Sequence, residues 1–122
     1  MNAEELQRRY DAGERDFAAV SLVKAKLIGA NLVGVNLFAA DLTNANLAKA
    51  KLWGADLGGA NLANANLVRA NLSGANLKDA NLRGARLKYI KIYGANLDRA
   101  CYDKSTRFTP NFDPVSHNMQ KF

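Results

Sequence analysis

Apolar residues recur at every fifth position through most of the chain. The series begins at Phe17, continues as leucine at nearly every step and ends at Tyr102. Alanine usually stands two residues before each leucine and asparagine or aspartate between them, so the repeated unit reads Ala-(Asn/Asp)-Leu-x-x. Five residues rotate an α-helix by about 500°, and an odd step sends successive leucines to opposite faces of a straight strand. A single buried row therefore requires the backbone to turn within every unit.

A second period, of twenty residues, runs through the glycines. Four of them share the second position after the leucine: Gly34, Gly54, Gly74 and Gly94. If four units close one coil, these glycines form a column along one edge, where a type II turn needs a positive φ at its third residue. We predict that this edge is built from type II turns. The alternative is that glycine is simply frequent in this slot, because three others also occupy it: Gly29, Gly59 and Gly84.

The repeated unit resembles the pentapeptide-repeat family, and residues 15 to about 104 carry the resemblance. It implies an all-β fold, a right-handed quadrilateral parallel β-helix in which each pentapeptide forms one side. About 4.5 coils follow, and strands ~4.8 Å apart would stack to roughly 20 Å. The sequence itself predicts that the leucine and alanine rows point inward.

The N-terminal residues depart from the repeat, and we divide the chain into a capping helix (1–14), the repeat β-helix (15–104) and a capping tail (105–122). Asn2 and Glu5 have the spacing of a capping box, which predicts a short amphipathic helix from Ala3 to about Ala12. We expect this helix to cover the first coil. Binding of a partner by the helix is the alternative.

The repeat also breaks after Tyr102, since Arg107 falls where the next leucine is due. Proline has no N–H to donate to the hydrogen-bond ladder of a β-sheet. Pro110 and Pro114 in the tail therefore predict that strand addition ends in this segment. We interpret Phe108 and Phe112 as a plug on the last coil. If the plug is poor, the open end is a surface for an end-to-end homodimer; otherwise the chain is a monomer. The Thr-Arg-Phe-Thr-Pro-Asn-Phe-Asp-Pro stretch resembles C-terminal segments of bacterial, especially cyanobacterial, pentapeptide-repeat proteins.

No catalytic arrangement emerges from the sequence. His117 is the only histidine and Cys101 the only cysteine, which excludes an internal disulfide and a multi-cysteine zinc site. The aspartates of the repeats fall in outward slots without forming a carboxylate pair, and the glycines recur at turn spacing rather than in a phosphate loop. We therefore expect no enzyme, no cofactor and no metal site. We also expect a cytoplasmic protein without a membrane segment.

Charge is distributed unevenly around the predicted coil. The chain has 17 Lys and Arg against 11 Asp and Glu, a net charge of +6. Counting in steps of twenty gives four sides, numbered from Phe17, and the third and fourth sides contain no acid. The third side has the units centred on Leu27, Leu47, Leu67 and Leu87. The fourth side has those centred on Leu32, Leu52, Leu72 and Ile92. The candidate interaction surface on these two sides comprises Lys26, Lys49, Lys51, Trp53, Arg69, Arg86, Lys88, Tyr89, Lys91 and Tyr93.

This surface favours a non-enzymatic protein–protein interaction scaffold whose unidentified partner is acidic, with Trp53 as an anchor. Binding of a nucleic acid or another polyanion, through phosphate contacts and stacking, is the second interpretation. The third is a solvated basic wall that only keeps the β-surface soluble. The family resemblance includes proteins that protect DNA gyrase by imitating duplex DNA, but a net positive charge argues against such mimicry here.

Overall fold

The computed structural model describes residues 1–122 and shows a four-sided parallel β-helix preceded by one α-helix. Helix α1 spans Ala3–Asp11. Single-residue bridges hold most of the coil together, and four strands of two residues occur near its C-terminal end. These strands are β1 (Arg86–Leu87), β2 (Cys101–Tyr102), β3 (Arg107–Phe108) and β4 (Gln120–Lys121), with a 3₁₀ turn at Val115–His117 before β4.

Four pentapeptide units make one coil, because each isolated parallel bridge joins residues twenty positions apart. The bridges run without a change of offset from the pair of Asp16 and Asn36 to the pair of Asn81 and Cys101. Hydrogen bonds follow the bridges in both directions: the N–H of Asn46, for example, donates to the carbonyl of Ala25 in the preceding coil at 2.9 Å. The predicted coil of twenty residues is therefore confirmed.

Two apolar rows fill the interior of the coil. The leucines of the series from Leu32 to Leu82 are at most 1% exposed, and so are the alanines from Ala40 to Ala85. Each buried leucine contributes about 1.5–3 kcal/mol relative to an exposed one. The predicted inward rows are confirmed, although Ile92 in the last coil is only partly buried.

Every corner of the coil is a turn of the same kind. The N–H of Ala50 donates to the carbonyl of Leu47 at 3.0 Å, and the other units repeat this bond. The third residue of the turn has a positive φ whether it is glycine or not: φ is 70° at Gly54, 59° at Lys49 and 60° at Asn64. Because this φ is required by type II turns, all four edges share the geometry. The type II turns predicted along the edge of Gly34, Gly54, Gly74 and Gly94 are confirmed, and the other three edges have them as well, because residues other than glycine also adopt this φ.

The Asn or Asp of each unit accepts a hydrogen bond from its own turn. Oδ1 of Asn46 accepts the N–H of Ala48 at 3.1 Å, and Oδ1 of Asp41 accepts both the N–H and the hydroxyl of Thr43 at 3.1 and 2.6 Å. This Asx turn satisfies a backbone donor for which neither neighbouring coil provides an acceptor. The repeated amide thus has a structural role.

Helix α1 covers the first coil. Oδ1 of Asn2 accepts the N–H of Glu5 at 2.8 Å, so the predicted N-cap is confirmed. Leu6 and Tyr10 are buried, and the Tyr10 hydroxyl donates to the carbonyl of Val33 at 2.6 Å. The helix is therefore fixed to the end of the coil by apolar contact and by a tertiary hydrogen bond.

The C-terminal tail continues the ladder rather than ending it. Strand β3 pairs in parallel with β1, and β4 with β2. One inserted residue places Phe108, and not Arg107, opposite Leu87. The prediction that strand addition ends at the prolines is wrong, because Pro110 and Pro114 lie between β3 and β4 and β4 still pairs with β2 after them.

The segment between β3 and β4 crosses the end of the coil with its aromatic rings against the core. Phe108 stacks on Phe112 with centroids 4.9 Å apart, and Tyr102 meets Phe108 edge-on at 5.4 Å. Met119 is buried beside them. The space left between these side chains and the last leucines is about 10 Å³, so the predicted plug is confirmed as a packed cap.

Candidate interaction surface

On the third and fourth sides, the residue directly before each leucine points outward. The bridges arrange these residues into two columns, one on each side. The column of the third side consists of Lys26, Asn46, Asn66, Arg86 and Arg107. The column of the fourth side consists of Asn31, Lys51, Asn71 and Lys91. Neighbouring members of a column are ~4.8 Å apart along the coil axis, because they lie on adjacent strands.

Basic residues are most concentrated at the C-terminal end of the third side. Arg86 and Arg107 are direct bridge partners. Together with Lys88 and Val68 they line an open depression of about 250 Å³. At the adjacent corner the guanidinium of Arg69 lies 4.9 Å from the centre of the Tyr89 ring, a cation–π contact.

The fourth side combines two lysines with two exposed aromatic rings. Lys51 and Lys91 are two coils apart, which places their strands roughly 10 Å from each other. Trp53 is 42% exposed and Tyr93 is 90% exposed in the equivalent slots of the same two coils. The side therefore offers apolar surface flanked by positive charge.

Lys26 and Lys49 of the predicted surface lie away from the two groups of residues described above. Lys26 lies at the N-terminal end, where it lines a depression together with Glu4 of α1. Counting along the repeats missed this acid because the helix, not a repeat, brings it there. Lys49 occupies the corner between the third and fourth sides and has a positive φ.

The basic residues of the two columns occupy a slot that elsewhere stabilises the turn. Twelve of the eighteen units have Asn or Asp there. The exceptions on the third and fourth sides are all basic: Lys26, Lys51, Arg86 and Lys91. The exceptions on the second side are Ser21 and Cys101. A Lys or Arg side chain has no acceptor atom, so it cannot close the Asx turn.

The consequence is visible in the backbone. Two residues after each of these four basic residues, the N–H donates to no protein acceptor; the affected residues are Ile28, Trp53, Lys88 and Tyr93. In the equivalent unit with Asn71, the N–H of Ser73 donates to Oδ1 at 3.0 Å. The sequence already shows where a basic residue interrupts the Asn/Asp pattern. Only the hydrogen bonds of the structure show that each interruption leaves a backbone N–H without a protein acceptor.

No ion pair neutralises the basic columns. The acids in ion pairs are Glu5 and Glu14, near α1, and Asp79 and Asp98 of the first side, which both contact Arg99. The hydrogen bond from Arg9 lowers the pKa of Glu14 below its usual value. The cations of the third and fourth sides form no comparable contact.

The remaining reactive side chains form no compact site. The His117 ring stacks on Phe112 at 4.6 Å, with Nδ1 3.0 Å from the carbonyl oxygen of Asp113. Cys101 is a partly buried residue of β2. No group of three or more His, Cys, Asp or Glu side chains is arranged to hold a metal ion. None of the helices has the length and apolar character needed to cross a membrane.

A family model described as pentapeptide repeats (8 copies) matches four overlapping segments of the chain, residues 16–54, 40–79, 50–88 and 65–101. The chain belongs to the pentapeptide-repeat family. Members of this family form right-handed quadrilateral β-helices, and the coil described above has this fold. The expected family and fold class are thereby confirmed.

Solved pentapeptide-repeat structures are similar to most of the chain. Rfr23 from the cyanobacterium Cyanothece 51142 is 41% identical over 76% of this chain, with a TM-score of 0.76. The match covers 63% of Rfr23. The protein alr5209 from Nostoc PCC 7120 is 36% identical over 99% of this chain and 96% of its own, with a TM-score of 0.54.

HetL from Nostoc sp. strain PCC 7120 is described as involved in the regulation of heterocyst differentiation. It is 32% identical over 88% of this chain and 57% of its own, with a TM-score of 0.54. No curated protein matched the chain. The comparisons thus give the family and the fold of the chain.

Proposed function

We propose that the chain is a non-enzymatic scaffold that docks a protein with an acidic surface on its third and fourth sides. The observation that supports this is the position of the basic residues. Lysine or arginine replaces the Asn or Asp of the repeat only on these two sides, and each replacement leaves a backbone N–H without a protein acceptor. Lysine and arginine also occupy turn positions on the first, second and third sides, where they replace no Asx acceptor; only the four basic residues of the columns replace one.

Trp53 and the lysines around it have the properties of an interface centre. Tryptophan and tyrosine are enriched in the energetically dominant part of protein interfaces. Trp53 keeps 42% of its surface exposed beside Lys51, and Tyr93 is almost fully exposed beside Lys91. A row of uncompensated cations accelerates encounter with an acidic partner and selects against basic ones.

The experiment is affinity capture from the lysate of the source organism with two variants of equal charge change. One combines Trp53→Ala, Lys51→Glu and Lys91→Glu on the fourth side. The control combines Phe38→Ala, Lys78→Glu and Lys104→Glu on the first and second sides. We expect the first variant to lose partners that the control retains, with unchanged circular dichroism in both. Equal retention by the two variants contradicts the docking proposal.

Binding of a nucleic acid is the second candidate, and the uncompensated cations beside exposed aromatic rings favour it. Phosphate contacts release counterions, so this mode weakens steeply with salt. A docking interface centred on Trp53 loses less affinity at moderate salt, because apolar burial is not screened. Titration with a duplex DNA and with a captured partner at two salt concentrations separates the two candidates.

A further inference from the structure

The end of the third side places two arginines directly next to each other. Arg86 and Arg107 are paired across β1 and β3. Neither guanidinium contacts a carboxylate. The guanidinium of Arg107 donates to the carbonyl oxygen of Lys104 at 3.1 Å, which fixes its orientation and leaves its other N–H groups available. Like charges on adjacent strands destabilise a sheet, so this pair is a cost to the fold itself.

A lysine and a backbone donor complete the same depression. Lys88 lines it together with Arg86 and Arg107. The N–H of Lys88 has no protein acceptor, since Arg86 occupies the slot from which an asparagine oxygen would accept it. In the coil below, Oδ1 of Asn66 accepts the N–H of Val68 at 3.0 Å and shows where an acceptor oxygen belongs. An oxygen of a bound anion can take that position at Lys88.

From this arrangement, and resting on the docking proposal above, we infer that Arg86, Lys88 and Arg107 bind a phosphate monoester group. Its oxygens would accept from the two guanidinium groups and the ammonium group, and one of them would accept from the N–H of Lys88. Guanidinium groups match phosphate in geometry because they donate two parallel hydrogen bonds. The site therefore recognises either free phosphate or a phosphorylated side chain of the docked partner.

The chemistry of the depression favours a monoester over the alternatives. A monoester carries a charge near −2 at neutral pH and has three strong acceptor oxygens, which three cations and one N–H can match. A carboxylate has a single charge and only two oxygens. Of the exposed aromatic rings on which single-stranded bases could stack, Trp53 and Tyr93 lie on the fourth side, and the guanidinium of Arg69 already covers one face of Tyr89 at the adjacent corner.

The test uses the full chain and two matched substitutions. Arg86→Asn removes one guanidinium and restores the amide that closes the turn at Lys88, so the fold is protected. Lys78→Asn removes one positive charge on the first side, outside the docking surface, and is the control. Binding of inorganic phosphate is followed by thermal shift against chloride at constant ionic strength. Binding of labelled phosphoserine, serine and glutamate peptides of one sequence is followed by fluorescence anisotropy.

We expect saturable binding of the phosphoserine peptide, at least tenfold weaker in Arg86→Asn and within twofold of the original in Lys78→Asn. Saturation by inorganic phosphate alone identifies free phosphate as the ligand. Equal losses in the two variants, or equal binding of the glutamate and phosphoserine peptides, overturn the site. So does an equal loss of duplex DNA binding and phosphopeptide binding in Arg86→Asn, which indicates a general polyanion surface.

These outcomes are separable from failure of the docking proposal. If the fourth-side triple variant loses its partner while phosphopeptide binding is absent, only the phosphate site is wrong. If the phosphopeptide binds as expected while the triple variant keeps all partners of the control, docking on the fourth side is wrong and the phosphate site stands.

Discussion

Lys51 and Asn71 are bridge partners on adjacent coils, and only one of them closes a hydrogen bond onto its own turn. Oδ1 of Asn71 accepts the N–H of Ser73, whereas the N–H of Trp53 has no protein acceptor. The two units have the same backbone conformation. They differ in the side chain before the leucine, which provides an acceptor oxygen in one unit and a positive charge in the other. The pair is therefore an internal comparison of a repeat optimised for stability with one that presents a cation.

This comparison gives the first prediction. Asn71→Ala should reduce the free energy of unfolding by about 0.5–1.5 kcal/mol, the usual net value of one intramolecular hydrogen bond. Lys51→Ala should change it by less, because that side chain accepts no backbone bond. Urea denaturation of both variants measures the difference, and equal losses would show that the Asx turn contributes nothing.

The second prediction concerns the buried leucine row. Leu67 is fully buried in the middle of the coil. Leu67→Ala should therefore cost about 2–5 kcal/mol, the range for truncating a buried leucine. Chemical denaturation provides the value. A near-neutral result is incompatible with a packed interior.

The third prediction concerns the turn geometry. Gly74 has a φ of 67°, and a Cβ there would meet its nearest atom only at 3.9 Å, so the constraint is the backbone and not space. Gly74→Val should thus lower the melting temperature far more than Ser73→Val, because only the first forces a β-branched residue to a positive φ. Similar melting temperatures would argue against the turn assignment.

The fourth prediction is a pH dependence at Asp41. Its pKa is held below the ordinary value of 3.8, first by the hydrogen bond from the Thr43 hydroxyl and then by that from the Thr43 N–H, against the opposing effect of burial. A carboxyl with a lowered folded-state pKa stabilises the fold above its unfolded pKa, and this contribution disappears as the pH falls through the folded-state value.

Asp41→Asn should therefore lose less stability than the original chain when the pH falls below about the ordinary aspartate pKa. The reason is that the amide keeps the acceptor oxygen but does not titrate. Thr43→Val should move the loss to higher pH by removing the stronger hydrogen bond. Melting temperatures measured between neutral and strongly acidic pH give both results. An unchanged acid profile in Asp41→Asn would place the titrating group elsewhere.

The fold could be predicted from the sequence because its period is local and repeated. The position of a residue within its five-residue unit determines whether its side chain points inward. Leu67 is an example, because its place in the unit alone predicts that it is buried. The corner geometry could be predicted only along the glycine edge: Lys49 and Asn64 adopt the same positive φ on other edges, where the residue type gives no such signal. Their conformation is imposed by the neighbouring coils, which a local preference does not reveal.

The C-terminal tail was the least predictable segment. Its register changes by one residue between Cys101 and Arg107, and no simple period survives such an insertion. For the candidate surface, counting in steps of twenty found the basic columns but missed Glu4 near Lys26. It also missed the role of Arg107, which enters the column only through the continued ladder of β3.

The free energy of unfolding of the double variant Lys51→Asn, Lys91→Asn tests most directly whether the basic columns are maintained at the expense of stability. Both changes restore an Asx turn, so we expect the double variant to be about 1–3 kcal/mol more stable than the original chain. The double variant Lys78→Asn, Lys104→Asn removes the same charge elsewhere and should gain clearly less. If the two double variants are equally stable, or the first is less stable than the original, the cations carry no structural cost and the argument for a selected binding surface fails.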